Sequence, residues 1–249
     1  MSGHSKWHNI QAKKGKADAA RGKIFTKLGR ELLVAAKEGG SNPDTNSKLK
    51  DVISKAKTAN MPMDTINRAV KRGAGELGDV NYEEIMYEGY GPNGVAFIVS
   101  SLTDNRNRTA SNVRHAFERS GGSLGTTGCV AWMFERKGVI IVEKSEGLDE
   151  EELMMLSIDA GADDFTPDND IYEIITPPES FSNVVKELED NGIKLASAEL
   201  SMIPSNTVEL DNESATKVDR MIERLDDDDD VQNVWHNAEF PDGWGEEEE

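Results

Sequence analysis

Cysteine is nearly absent: Cys129 stands alone in 249 residues, so no internal disulfide can form and nothing points to an oxidising compartment. Long apolar runs are missing as well. No segment approaches the ~20 apolar residues of a membrane span, and the opening Met1-Ser2-Gly3-His4-Ser5-Lys6-Trp7-His8 has none of the apolar stretch of a secretory signal. The expectation is a soluble, cytoplasmic protein with no membrane partner. A basic, acid-poor start is also a feature of transit peptides, but here it runs into a helical pattern and carries Gly3 and Gly15. Hydrophobic residues make up 37% of the chain, low but sufficient for compact cores in domains of about 60 to 100 residues.

Catalytic settings are lacking too. Cys129 has no neighbouring His, and none of the four histidines lies in a recognisable catalytic setting. His4 and His8 have the spacing of metal ligands on a helix but no third ligand nearby. Asp163, Asp164, Asp168 and Asp170 lack the glycine and terminal Glu of a calcium loop. Gly73-Ala74-Gly75-Glu76-Leu77-Gly78 matches G-x-G-x-x-G literally, yet it follows a helical pattern and precedes a strand, the reverse of a dinucleotide site. These absences predict a protein without enzymatic activity, cofactor or metal.

What is present is an unequal division of charge. Residues 1–78 hold 16 Lys and Arg against 7 Asp and Glu, a net of +9, whereas residues 79–249 hold 12 against 40, a net of −28; the sum is the chain's −19. One end is therefore a cationic module suited to phosphate, joined to an anionic body that repels nucleic acid from its own surface. Asp226 to Asp230 and Glu246 to Glu249 read as solvated acidic runs.

The periodicity gives an α+β chain. Residues up to about Lys16 form a polar, basic arm. From Asp18, Ile24, Leu28, Leu32 and Ala35 share one helical arc and Lys16, Lys23, Lys27, Arg30 and Lys37 the opposite one, until Gly39-Gly40 stops the helix. A second helix at about Ser47 to Thr58 and a third after Pro62 complete a three-helix domain over residues 1–78. Glu84 to Tyr90 and Val95 to Leu102 alternate as strands around the turn Gly91-Pro92-Asn93-Gly94, followed by a helix at Thr109 to Ser120 and a strand at Val130 to Phe134. Residues 137–204 read as β-α-β-β-α-β, a ferredoxin-like insert. The remaining strand, helix and strand are too few to bury a core alone, so residues 205–240 are expected to join 79–136 in a discontinuous α/β middle domain, with 241–249 an acidic tail.

The arm and first helix make the strongest constellation. Lysines offer phosphate neutralisation and Trp7 an aromatic face for base stacking, two sequence-tolerant ways to hold nucleic acid. Lys6, Trp7, His8, Lys13, Lys14, Lys16, Arg21, Lys23, Lys27 and Arg30 are the expected contacts; a helix serving solubility alone would carry balanced charge. A second candidate is Thr103-Asp104-Asn105-Arg106-Asn107-Arg108-Thr109, between a strand and a helix start. Arg106 and Arg108 beside free helix N–H groups could cradle a phosphate; equally, the segment could be a polar connection whose Asn and Asp side chains cap the turn.

Taken together, Gly3-His4-Ser5-Lys6-Trp7-His8-Asn9-Ile10, the run from Lys13 to Phe25, Asn60-Met61-Pro62, Glu88-Gly89-Tyr90-Gly91-Pro92, Thr103 to Thr109 and Gly128 to Phe134 resemble the YebC/PmpR family over nearly the whole chain. Asn93 and Cys129 depart from the residues usual there. The resemblance implies a three-domain α+β protein, a cytoplasmic DNA-binding transcriptional regulator in bacteria. Mitochondrial relatives are translational activators and some bacterial members are linked to ribosomes stalled on proline-rich sequence, so the resemblance also implies an alternative, a ribosome-associated translation factor acting on stalled elongation through rRNA or tRNA contacts. No helix-turn-helix with a polar recognition helix is evident, and a flexible Lys-rich arm suits irregular RNA as well as a groove.

Overall fold

The computed structural model describes residues 19–78, 81–145, 147–168, 170–241 and 243–244. They fall into two compact units, one of residues 132–207 and one of the chain before and after it.

Helix α1 (Ala19–Gly39) buries Leu28, Leu32, Leu33, Ala35 and Ala36. Ile24, expected on the same arc, is 39% exposed, so the packed stripe begins a turn later than periodicity alone suggests. Helices α2 (Ser47–Thr58) and α3 (Met63–Gly73) pack against α1 through Leu49, Val52, Ala56 and Ile66, with Met61 from the intervening turn filling the same core. Asn46 fixes the α1–α2 corner: its carbonyl oxygen accepts from the Leu49 N–H at 3.0 Å, and its amide donates to the carbonyls of Ala35 and Gly40, each at 2.8 Å. At the end of α3 a Cβ on Gly73 would lie 2.2 Å from the Leu33 carbonyl oxygen, so only glycine allows this approach to α1.

Strands β1 (Glu83–Tyr90) and β2 (Ala96–Thr103) form an antiparallel hairpin from Glu83 opposite Thr103 to Tyr90 opposite Ala96. Its turn is a 3₁₀ segment, Pro92–Gly94, in which Asn93 (φ 58°) and Gly94 (φ 76°) both take the left-handed region. Helix α4 (Arg106–Arg119) starts three residues before the expected Thr109, because the Asn105 side chain accepts from the Arg108 N–H and caps it there. After the short strand β3 (Ser123–Leu124), the strand expected at Val130 to Phe134 is instead a 3₁₀ turn at Ala131–Met133. The physical reason is Glu88. Its buried carboxylate accepts the N–H groups of Gly128 (2.7 Å), Val130 (3.0 Å) and Ala131 (2.8 Å), which are thereby unavailable to a ladder.

The chain then runs through β4 (Phe134–Glu143), α5 (Glu150–Asp159), β5 (Asp164–Pro167), β6 (Ile171–Thr176), α6 (Phe181–Asp190) and β7 (Leu195–Pro204). Every pairing in this sheet is antiparallel and its order is β5-β6-β4-β7, the expected ferredoxin-like unit, cored by Ile140, Val142, Leu153, Ile174, Val184 and Leu188.

Strand β8 (Val208–Glu209), helix α7 (Asn212–Asp226), β9 (Val231–His236) and β10 (Ala238–Glu239) return to the first unit. There β9 pairs antiparallel with β2, giving the order β3-β1-β2-β9, while β8 and β10 pair parallel. Helices α4 and α7 bury Val113, Phe117, Val218, Met221 and Leu225 against Phe97, Val99 and Val231 of this sheet. No described helix is long and apolar enough to cross a membrane.

Replacing Asn46 with Ala removes a cap and leaves two carbonyls without their donor. The expected loss is about 1–3 kcal/mol, read by urea denaturation of the full chain monitored by circular dichroism.

Candidate nucleic-acid interface

Of the residues singled out in the sequence, Lys6, Trp7, His8, Lys13, Lys14 and Lys16 lie outside the described residues; Arg21 falls on α1, with its side chain outside them as well. The other cations of α1 do not face open solvent alone. Lys23, Lys27 and Arg30, at helical positions i, i+4 and i+7, meet the end of α7 and the segment that links it to β9: Lys23 pairs with Asp227, Lys27 with Asp226 at 3.5 Å, and Arg30 with Asp230 at 2.7 Å. The run Asp226 to Asp230 is thus not the solvated stretch its composition suggests; it is the counter-surface of the basic helix.

The three pairs differ in character. Lys23 and Asp227 are 42% and 72% exposed at the side chain, a regime in which an ion pair contributes little and exchanges readily. Asp230 has 3% of its side chain exposed and gathers donors from three elements. Arg108 grips it in a fork, with Nε 3.0 Å from Oδ2 and Nη2 2.9 Å from Oδ1; the Thr109 hydroxyl donates at 2.7 Å, Thr103 Oγ1 lies at 3.2 Å, and Arg30 completes the set. Arg30 also donates to the carbonyls of Leu102 and Asp229 and stacks over the Tyr82 ring at 5.4 Å. Burial alone would raise the Asp230 carboxyl, but hydrogen bonds from Arg108, Thr109 and Arg30, with the charge of Arg30, outweigh it and hold the group below the ordinary carboxylate range. Conversely, the hydrogen bonds Arg108 donates to Asp230 and Asp104 raise it above its usual value.

These contacts give the Thr103–Thr109 segment a structural part. Asn105 caps α4, its own N–H donates to Thr103 Oγ1 at 2.9 Å, and Arg108 is held by Asp230 and by Asp104 at 2.9 Å. Both are bracing roles. Arg106, in contrast, is exposed in the first turn of α4, with no ion pair among the described residues. Asp230 itself escapes sequence reasoning because it closes a five-Asp run that resembles solvent-facing charge; its one signal is the apolar Val231 that follows and draws it inward.

Burial, and then the charge of Glu88, raise the Cys129 thiol, which favours its neutral form. Lys137 occupies Asp163 at 2.9 Å, and no group of three or more His, Cys, Asp or Glu among the described residues could hold a metal ion.

Comparison with known proteins agrees with this architecture. Residues 5–76 match the family model described as the TACO1/YebC protein N-terminal domain, and residues 82–238 the one described as the TACO1/YebC second and third domain. A probable transcriptional regulatory protein of Clostridium tetani is 65% identical over 244 residues, covering 98% of this chain and 99% of its own. One from Clostridium acetobutylicum is 62% identical, covering 96% and 98%. The crystal structure of a conserved hypothetical protein from Aquifex aeolicus superimposes with a TM-score of 0.82 at 47% identity, over 90% of this chain and 93% of that one.

The Asp230 cluster makes a paired prediction. Asp230→Asn leaves Arg30 without its carboxylate and Arg108 with Asp104 alone, and should cost about 3 kcal/mol, whereas Arg106→Ala should stay within about 0.5 kcal/mol. Because the folded-state value of Asp230 is depressed, the unfolded chain binds the extra proton. The stabilisation is then complete above the unfolded pKa of about 3.9 and is lost as pH falls from there through the folded value. Denaturant titrations from pH 7 to pH 3 should show a shallower acid decline in Asp230→Asn than in the parent.

Proposed function

The chain belongs to the TACO1/YebC family, and we propose that it is a nucleic-acid-binding regulator of gene expression, acting on transcription. The observation that carries this reading is the charge division: +9 in residues 1–78 against −28 in the remainder, with Lys and Arg concentrated in the arm and α1. The names of the clostridial relatives, probable transcriptional regulatory proteins, support the regulatory role.

In this reading the contacts are Lys6, Trp7, His8, Lys13, Lys14, Lys16 and Arg21, joined by Lys23, Lys27 and Arg106. The pair of Lys23 with Asp227 is open to exchange, since a phosphate oxygen can replace a carboxylate on a solvent-facing lysine at small cost; Lys27 is more enclosed, and its longer 3.5 Å pair with Asp226 is the looser hold. Arg30 and Arg108 act indirectly by holding Asp230. Acidic Asp226 and Asp227 then act as a built-in competitor that favours ligands presenting several phosphates over isolated anions.

The test uses the full chain with labelled duplex DNA and an RNA hairpin. The logarithm of the binding constant should fall with the logarithm of salt at a slope of about −4 to −7, as for five to eight neutralised phosphates; a flat response overturns the reading. Lys13, Lys14 and Lys16 changed together to Glu should weaken binding by roughly tenfold or more with an unaltered melting curve. Crosslinking in cells then separates the two levels of regulation: promoter DNA among the bound fragments supports transcription, and ribosomal RNA supports the ribosome-associated alternative.

A further inference from the structure

The anionic body has a cationic exception. Among its 12 Lys and Arg, four line a single open cleft of about 490 Å³: Arg119 at the end of α4, and Lys217, Arg220 and Arg224 on α7, facing the Pro92–Asn93 turn. No acidic residue lines this cleft. Spacings of three and four put the α7 cations on one helical face, in a row about 10 Å long at 1.5 Å per residue. Lys217 has a surface pair with Glu213 at 2.8 Å, and Arg224 donates to the Ser120 hydroxyl at 2.8 Å. Arg119 and Arg220 are exposed and make no ion pair or hydrogen bond among the described residues. The two acids that line the adjoining cavity are engaged elsewhere: Asp227 with Lys23, and Asp228 with Asn112 and the Asp230 N–H.

Four cations are gathered here, of which Lys217 alone has an acidic partner among the described residues; they repel one another, and an anion in the cleft relieves that repulsion. The guanidinium fork matches phosphate oxygens two at a time. A row of this length exceeds a single phosphate, and the cleft is open along it, which suits a continuous strand better than an enclosed small molecule. We propose that this cleft binds the phosphodiester backbone of a nucleic-acid strand, as a second contact separate from the arm and α1. The proposal rests on the nucleic-acid reading above and revises the sequence-based expectation that the anionic body repels such ligands throughout.

The experiment compares full-length protein with its Arg119→Gln/Arg220→Gln variant, two side chains that brace nothing in the fold. Anisotropy of a labelled single-stranded RNA and of a duplex DNA is followed across a salt series, and melting curves are recorded for both proteins. The slope of log binding constant against log salt should shrink by about 1.4 for the single strand and 1.8 for the duplex, as for two lost phosphate contacts, with affinity at 0.1 M salt reduced about tenfold or more. Arg119→Lys/Arg220→Lys should keep the parent slope. If the double Gln variant melts early, Arg220→Gln alone replaces it, with a slope change of about 0.7–0.9. Parent-like slope and affinity in a folded Gln variant overturn the cleft while leaving the arm reading intact; absence of salt-dependent binding by the parent protein overturns both. Inorganic phosphate titrated by ³¹P NMR supplies the other source: saturable binding lost in the variant, with oligonucleotide binding unchanged, makes this a free-phosphate site and overturns the strand proposal.

Discussion

One carboxylate ties together four stretches of chain that are remote in sequence. Asp230 sits on the α7–β9 connection and receives α1 through Arg30, the end of β2 through Thr103, and the first turn of α4 through Arg108 and Thr109. A carboxylate offers about four acceptor positions, and these donors fill them, so a nearly buried charge keeps its proton off without bulk water. Removing any one element leaves a charged group short of its partner. The seating of the basic helix beside the β1–β2–β9 sheet therefore depends on an electrostatic contact, while its apolar face packs on α2 and α3.

The same contact changes the meaning of the charge asymmetry. The +9 and −28 portions are not independent surfaces, because Asp226, Asp227 and Asp230 answer Lys23, Lys27 and Arg30 directly. Part of the cationic stripe is satisfied within the protein, in a graded way: Arg30 with a buried partner, Lys23 with an exposed one. Groups at the buried end position the helix, and those at the exposed end remain exchangeable.

Much of the architecture was legible in residue patterns. Helical periodicity located α1, α2 and α3, and the Pro-Asn-Gly turn located the hairpin, because each is a local decision dictated by side-chain spacing and backbone conformation. The β-α-β-β-α-β order of residues 134–204 could be read for the same reason. Where sequence misled, a distant side chain had intervened. Glu88 takes the N–H groups around Val130 and turns an apolar run into a 3₁₀ segment, Asn105 starts α4 early, and Asp230 converts an acidic run from solvent-facing to structural. The candidate site was legible in type, as clustered cations, but not in partnership, since nothing local to Lys23 or Arg30 announces residues 204 and 200 positions away.

The interrupted sheet imposes an order on synthesis. Strand β2 has its β1 partner at once, yet its other edge waits for β9, which leaves the ribosome only after all of β4 to β7 has been made. The insert, whose first and last strands pair Phe134 with Pro204, can close on itself during that interval. Until residues 226–236 emerge, a growing chain therefore carries an open β-edge and a basic helix without its acidic counterpart, the state most prone to pairing with other strands. Completion of the α7–β9 segment ends both exposures in one step.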